Sequence, residues 1–425
     1  MSQPSDNKSK IHVLILGGGF GGLECARHLT DSRFAVTMVD RQNHHLFQPL
    51  LYQVATAGLS APEIAQPIRL LVRGQENVTV LMDEAQSIDL AAKKVVLAGQ
   101  TLTYDYLVLA TGVRTGYFGH PEWAAHAPGL KSLDDATRIR SSVLRAFEQA
   151  EARAEGAVHQ RLLTMVVVGG GPTGVEMAGA LAELSRKVLA DDFRHIRPGE
   201  ARVILIEAGP RILPMFAEDL SEYARRRLEE MGVQVRLNTM VKQIGPGLVE
   251  LHDGEIAAAN VIWAAGVEGN PITKSLPVPQ DRAGRLLVRP DTSLPGFPEV
   301  FAVGDVASLT DKNGVHVPGV APAASQMGRH AAAIILSEVL HRERFDAVQD
   351  RAAFGYLDKG SMATIGRSSA VAAAFGMKFR GFTAWLMWLF IHLLFLVGFR
   401  NKIAVVLQWV YSYFTWRRGA RIITR

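Results

Sequence analysis

Two stretches of the chain carry the same hydrophobic pattern. A largely aliphatic run, Ile11-His12-Val13-Leu14-Ile15-Leu16, leads into Gly17-Gly18-Gly19-Phe20-Gly21-Gly22 and then into the helical run Leu23-Glu24-Cys25-Ala26-Arg27-His28-Leu29. A second run, Met165-Val166-Val167-Val168, leads into Gly169-Gly170-Gly171-Pro172-Thr173-Gly174 and the helical run Val175-Glu176-Met177-Ala178-Gly179-Ala180-Leu181. Unbroken β-branched runs predict strands buried on both faces of a parallel sheet, and the runs after each glycine loop predict helices. Each copy continues to a further strand that ends in an acid: Val36-Thr37-Met38-Val39 before Asp40, and Arg202-Val203-Ile204-Leu205-Ile206 before Glu207. The longer interval before Glu207 predicts an extended helix through Leu184–Ile196 (LSRKVLADDFRHI). Two more strand-like runs, Tyr106–Gly112 and Val261–Gly266, end in glycine, and a third, Glu299–Asp305, ends in Gly-Asp.

The repeat has a physical meaning. In G-x-G-x-x-G the first glycine permits the tight turn. The second lets backbone approach a pyrophosphate, and the third lets helix and strand pack closely. The phosphates rest on helix N-terminal amides, and the acid ending the next strand accepts from ribose hydroxyls. The expected fold class is therefore α/β, with two Rossmann-like dinucleotide-binding domains and a C-terminal helical segment. Gly169 lies 152 residues after Gly17, a domain's length and too long for a solenoid repeat. The first two glycine-ended strands, Tyr106–Gly112 and Val261–Gly266, mark crossings between domains. They predict a discontinuous first domain over 1–115 and 268–330, a second over 116–267, and a C-terminal domain over 331–425.

The tail changes the picture. Phe382–Phe399 is 18 residues without Asp, Glu, Lys or Arg, and Ile403–Trp416 is a second apolar stretch of 14. Four of the six tryptophans lie there, and Met377–Arg425 holds eight Lys/Arg and no acid. The net charge of +5 belongs to this tail, since the remainder has 38 basic against 41 acidic residues. A spanning helix needs about 20 apolar residues, so the first stretch is marginal and the second short. The leading reading is an apolar hairpin lying in one leaflet, over about 378–425, with Trp and Lys/Arg at the headgroups. A full span and a buried dimer-interface helix pair are the alternatives. The polar N-terminus has no apolar stretch of the kind that a secretory signal needs.

The single cysteine, Cys25, excludes a disulfide framework, a dithiol redox pair and multi-cysteine metal sites, and it reads as a packing residue. His44-His45 cannot easily share one ion, and no metal is expected. His392, inside the apolar hairpin, reads as interfacial or bonded to a neighbouring turn.

These strings together resemble the two-dinucleotide-binding flavoproteins, and within them the type II NADH dehydrogenases, the single-subunit NADH:quinone oxidoreductases. The resemblance rests on HHLFQPLLYQVATAGLS (44–60), GGGPTGVEMAGALAEL (169–184), EAGPRILP (207–214), VIWAAGV (261–267), FAVGDVA (301–307) and FGYLDKGSMATIGRSSAV (354–371). It implies FAD held by Gly17, Gly19, Gly22, Asp40, Arg41, Ala85, Gly112, Gly304 and Asp305. It implies NADH as substrate, held by Gly169, Gly171, Gly174, Glu207 and Gly266. Glu176 resembles the active-site glutamate, and Gln326 and Lys359 resemble residues at the quinone end of the flavin. Where the family has Ala-Gln-x-Ala-x-Gln, this chain has Ala321-Pro322-Ala323-Ala324-Ser325-Gln326, so only the second glutamine remains.

The activity implied is oxidation of NADH and two-electron reduction of a membrane quinone, ubiquinone or menaquinone, without proton pumping. The implied setting is the bilayer surface on the cytoplasmic face of the cell membrane, with a possible homodimer and no nucleic-acid partner. A ferredoxin-reductase-like enzyme would have no use for the tail, and sulfide:quinone oxidoreductase needs a cysteine pair. A low-turnover flavin redox sensor at the membrane is the alternative from another class.

Overall fold

The computed structural model describes residues 10–153, 156–341 and 351–423. They fold as two compact units. The first takes its residues from Met1–His45, Gln66–Arg114 and Glu268–Asp358; the second takes them from Leu46–Ala65, Thr115–Val267 and Lys359–Arg425.

The first unit is built on a six-stranded sheet. Its order is Ser293–Leu294, Phe297–Ala302, Tyr106–Leu109, Ile11–Leu16, Phe34–Asp40, Val78–Met82, with every neighbour parallel except the first pair. Val13 to Leu16 are buried, as the aliphatic run predicts. The chain passes from Ile11–Leu16 to one neighbour and later returns on its other side. That reversal opens the crevice at the carboxyl ends of the strands where α/β sheets bind ligands. The glycine-loop helix Phe20–His28 packs on helix Ala321–Leu340 through facing glycines: a Cβ on Gly328 would stand 2.1 Å from the Gly21 carbonyl oxygen. This second helix runs unbroken across position 330, where the sequence placed a domain boundary.

The second unit repeats the plan with four parallel strands, in the order Val233–Arg236, Arg202–Ile206, Thr164–Val168, Asn260–Trp263. Leu46–Ala65 belongs to this unit, not to the first where the sequence placed it. Its helix Leu51–Ala55 turns Leu51, Val54 and Ala55 inward against helix Leu133–Glu151, and also packs on the glycine-loop helix Pro172–Glu183. The extended helix predicted over 184–196 is replaced by a single π turn, Leu184–Val188, followed by irregular chain. Glu151 collects the backbone N–H groups of Arg194, His195 and Ile196, which a helix would have used internally.

The tail begins as an antiparallel sheet, Ser361–Thr364, Ala370–Ala374 and Met377–Gly381, in the same unit. Gly381, at φ 72°, turns the chain into helix Phe382–Phe395, and Gly398, at φ 90°, starts helix Phe399–Thr415. Ala384, Trp388, Asn401 and Val405 are buried. Asn401 Nδ2 donates to the Pro62 carbonyl (3.0 Å) and Trp409 Nε1 to Gln53 Oε1 (2.9 Å). No helix among the described residues is long and apolar enough to cross a membrane, which removes the full-span alternative for these two helices.

Candidate functional site

The first glycine loop is shaped by contacts that only glycine allows. Gly17 has φ +108°, and a Cβ there would lie 2.3 Å from the Ala110 carbonyl oxygen; one on Gly22 would lie 1.9 Å from that of Gly17. A Cβ on Gly19 would meet nothing within 4 Å. Gly17 and Gly22 are therefore required by the fold, while Gly19 borders open space that fits an approaching pyrophosphate. The Gly18 peptide is gripped from both sides. Its N–H donates to Asp40 Oδ2 (2.6 Å), and its carbonyl faces His45 Nδ1 (3.0 Å), which must carry the proton.

Burial pushes the His45 pKa down to about 4, so the ring is neutral, and its buried Nε2 has no partner. Gly112 (φ +62°) and Gly304 (φ +77°) end the two neighbouring strands, and Asp305 follows in a short turn beside Gly319. Arg41 is exposed just past Asp40. Ala85 opens the strand Ala85–Asp89, two residues beyond Asp83, whose N–H donates to the Asp40 carbonyl (3.0 Å). The glycine loop, Asp40, Gly112, Gly304 and Asp305 gather at the carboxyl ends of one sheet, a donor set and opening that fit FAD, while Ala85 opens a separate three-stranded sheet.

The second loop reproduces this geometry. Gly169 has φ +109°, a Cβ on Gly174 would lie 1.8 Å from the Gly169 carbonyl oxygen, and a Cβ on Gly171 would meet nothing within 4 Å. Gly170 N–H donates to Glu207 Oε2 (2.6 Å), and Gly209 N–H to Glu207 Oε1 (2.7 Å). Here the loop carbonyl of Gly170 accepts from the backbone N–H of Leu213 (2.7 Å) in place of a histidine. Gly266, at φ +77°, follows the neighbouring strand Asn260–Trp263.

Glu176, in the first turns of helix Pro172–Glu183, lines a cavity of about 410 Å³ in this unit with Tyr52, Thr364, Trp388, Trp409 and Arg418. Loss of hydration pushes its carboxyl up to about 8; the Thr364 N–H, 3.3 Å away, opposes that rise. The Trp388 indole also opposes it, without a well-formed hydrogen bond. Tyr52 is buried and its phenol is held well above the usual range. Glu183, two turns further along the same face of the helix, also lines the cavity and accepts from Arg418 Nη2 (3.0 Å) and from the Arg367 backbone N–H. Arg418 Nη1 in turn donates to the Thr56 carbonyl (2.8 Å).

The other two sequence-derived candidates do not line this cavity. Gln326 lies in the first unit with its amide matched to backbone: Nε2 donates to the Leu357 carbonyl (3.1 Å) and Oε1 accepts from the Leu357 N–H (2.9 Å). Lys359 Nζ sits 5.3 Å from the centre of the Phe395 ring. Pro322 occupies the first turn of helix Ala321–Leu340, where a missing N–H costs nothing.

Three of the tail bases find carboxylates within the unit: Arg418 with Glu183, Arg421 with Asp192, and Lys378 with Asp219. Arg400 and Arg417 remain exposed. Cys25 is fully buried, and its thiol is pushed up to about 12. His392 bonds to the preceding turn, at the Trp388 carbonyl (2.8 Å). Among the described residues no group of three or more His, Cys, Asp or Glu is arranged to hold a metal. Sequence reasoning missed Tyr52, Glu183, Arg418 and His45; the apolar run Leu50-Leu51-Tyr52 was the one available signal for the first.

Comparison with known proteins agrees with this geometry. Residues 11–328 match the pyridine nucleotide-disulphide oxidoreductase family, and residues 359–418 match the NDH2 C-terminal domain. The chain is 43% identical to the type II NADH:quinone oxidoreductase Ndh of Mycobacterium tuberculosis, over 99% of this chain and 92% of that protein. It is 30% identical to the external NADH-ubiquinone oxidoreductase 2 of Saccharomyces cerevisiae mitochondria, over 96% and 82%. The fold matches that of Plasmodium falciparum NDH2, solved with NADH, at a TM-score of 0.88 and 19% identity, over 98% of this chain and all of that one. Two glycine cradles each closed by an acid, a tail matching a dedicated C-terminal domain and full-length similarity lead to one assignment: the chain belongs to the type II NADH:quinone oxidoreductases.

Proposed function

We propose that this chain oxidises NADH and passes two electrons to a membrane quinone through FAD, without translocating protons. The observations that carry the reading are the duplicated glycine loop, open to a ligand at Gly19 and at Gly171, and, in the second unit, an apolar cavity holding one raised carboxyl. Gly17, Gly19, Gly22, Asp40, Gly112, Gly304 and Asp305 hold FAD, with Arg41 and Ala85 at its adenosine end. Gly169, Gly171, Gly174, Glu207 and Gly266 hold NADH. When bound, FAD supplies the two-electron step between the two substrates.

The chain's own residues orient those substrates and manage protons. The quinone head occupies the cavity of Tyr52, Trp388 and Trp409, where Glu176, protonated below about pH 8, has a proton to give. Gln326 and Lys359 act at the quinone end by placing the 357–359 segment, which the paired amide of Gln326 pins.

The bilayer surface forms the third part of the proposal. Phe382, Leu386, Phe390 and Leu394 recur every four residues on one tail helix, and Phe399, Ile403, Leu407 and Phe414 follow a similar stripe on the next; all are exposed. Such a stripe suits burial at the headgroup–acyl boundary. The embedded positions Trp388 and Val405 make deletion of the whole tail a poor test, so the stripe itself is the place to mutate.

An anaerobic spectrum tests the whole. NADH should bleach the yellow flavin, and added soluble quinone should restore it at the rate of turnover. Recovery much slower than turnover would point to the sensor reading instead. Serine at Phe382, Phe390, Leu407 and Phe414 should abolish liposome flotation yet leave flavin bleaching by NADH intact; continued flotation would move the membrane contact elsewhere.

A further inference from the structure

Phe118 is an expensive residue for this protein to keep. It is 72% exposed, and its backbone lies at φ 51°, a region that bulky side chains rarely adopt. It is nevertheless held by its neighbours. The Trp263 indole N–H donates to the Gly116 carbonyl (2.9 Å), Gly116 N–H reaches back to the Gly266 carbonyl (3.4 Å), and Tyr117 stacks on Trp263 at 5.5 Å. The Phe118 ring meets Trp263 edge-on at 6.0 Å and covers Gly266, where a Cβ would come within 2.7 Å of it. A strained, exposed ring on an anchored turn is a ring aimed at something outside the protein.

Its place in the sheet says at what. The strand Thr164–Val168 has Arg202–Ile206 on one side and Asn260–Trp263 on the other. In this architecture the acid at the end of the first neighbour takes the adenine-side ribose and the glycine loop takes the pyrophosphate. The remaining half of the dinucleotide must then leave across the other neighbour, over Ala264-Ala265-Gly266, and Phe118 stands there. We propose that Phe118 is a specificity-determining residue that packs against the nicotinamide half of NADH. This inference rests on the assignment of NADH to the second glycine loop. Ring-on-ring contact would desolvate the Phe118 face and explain why the fold tolerates the strain.

The test compares NAD⁺ with ADP-ribose, which lacks only the nicotinamide ring, by calorimetry on the flavin-loaded protein. Phe118→Ala should weaken NAD⁺ by about tenfold, or about 1.4 kcal/mol, and leave ADP-ribose within about twofold. Phe118→Trp should keep both affinities. Phe118→Gly, which suits a positive φ, should raise the melting temperature while losing NAD⁺ affinity as Ala does. Equal weakening of both ligands, or unchanged NAD⁺ affinity in Phe118→Ala, overturns the role. Gly171→Val separates the two readings: if it binds NAD⁺ as well as the unaltered protein, it is the placement of NADH on the second loop that falls.

Discussion

Glu24 and Glu176 stand at the same place in the repeat, each two residues past the last glycine of its loop. Their fates differ. Glu24 is partly exposed and pairs with Arg329 at 3.0 Å and, more loosely, with Arg27 at 3.8 Å. Glu176 is buried, faces the aromatic wall of a cavity and has its carboxyl pushed up to about 8. The motif places both carboxylates; the element packed over each one decides its chemistry. Over Glu24 lies a helix that supplies an arginine, whereas beside Glu176 lies a tail helix that supplies Trp388. The two loop carbonyls teach the same lesson, since one is held by neutral His45 and the other by a backbone amide.

The largest effects come from the glycines. Gly22→Val and Gly174→Val drive a side chain into a carbonyl less than 2 Å away, and should cost more than about 4 kcal/mol and prevent folding. Gly19→Val and Gly171→Val should fold, because a Cβ there meets nothing beyond its own chain neighbours within 4 Å. The first should lose flavin, and the second should keep flavin yet fail to be reduced by NADH. Absorbance and thermal melting of the four variants score this directly; an unstable Gly171→Val would break the division between fold and ligand glycines.

Next come the two glutamates. Glu176→Gln should slow quinone reduction by about 10²-fold, while Glu24→Gln changes it by less than about twofold. The linkage sign is definite. The folded carboxyl keeps its proton up to about pH 8 and the unfolded one only to about 4.5, so stability falls as pH rises through that window. Glu176→Gln should flatten this slope, and Glu24→Gln should not. Denaturant titrations across the window decide the matter, and an unchanged slope in Glu176→Gln would show that its proton is not held as described.

The smallest effect separates the two strand-end acids. Glu207→Gln keeps an acceptor but removes the charge that repels a 2′-phosphate, so a preference for NADH over NADPH of at least about tenfold should narrow. Asp40→Asn should leave that ratio untouched and shift only flavin affinity. Steady-state kcat/KM for both nucleotides measures it, and equal use of them by the unaltered chain would end this account of Glu207.

Legibility followed the range of the interaction. Gly17, Gly22, Gly169 and Gly174 were readable because their constraint is local: positive φ and a carbonyl five residues away. Asp40 and Glu207 were readable because each ends a strand whose apolar run announces itself. The helix expected over 184–196 failed because Glu151, more than forty residues earlier, captures its amides. The ion pairs of three tail bases were not legible for a similar reason, as the carboxylates that pair with them lie roughly 160 to 235 residues away in sequence.

The sequence by itself determined the two parallel sheets, the paired glycine cradles, the acids that close them and the apolar character of the tail. Each of these is a matter of strand period, backbone freedom or composition within a few residues. Tertiary structure alone decided that Leu46–Ala65 joins the second unit, that Arg418 meets Glu183, and that Tyr52, Trp388 and Trp409 wall a cavity around Glu176. Burial and hydration are properties of a surrounding, and for Glu176 the surrounding arrives from positions on both sides of the chain, too distant for any local pattern to record.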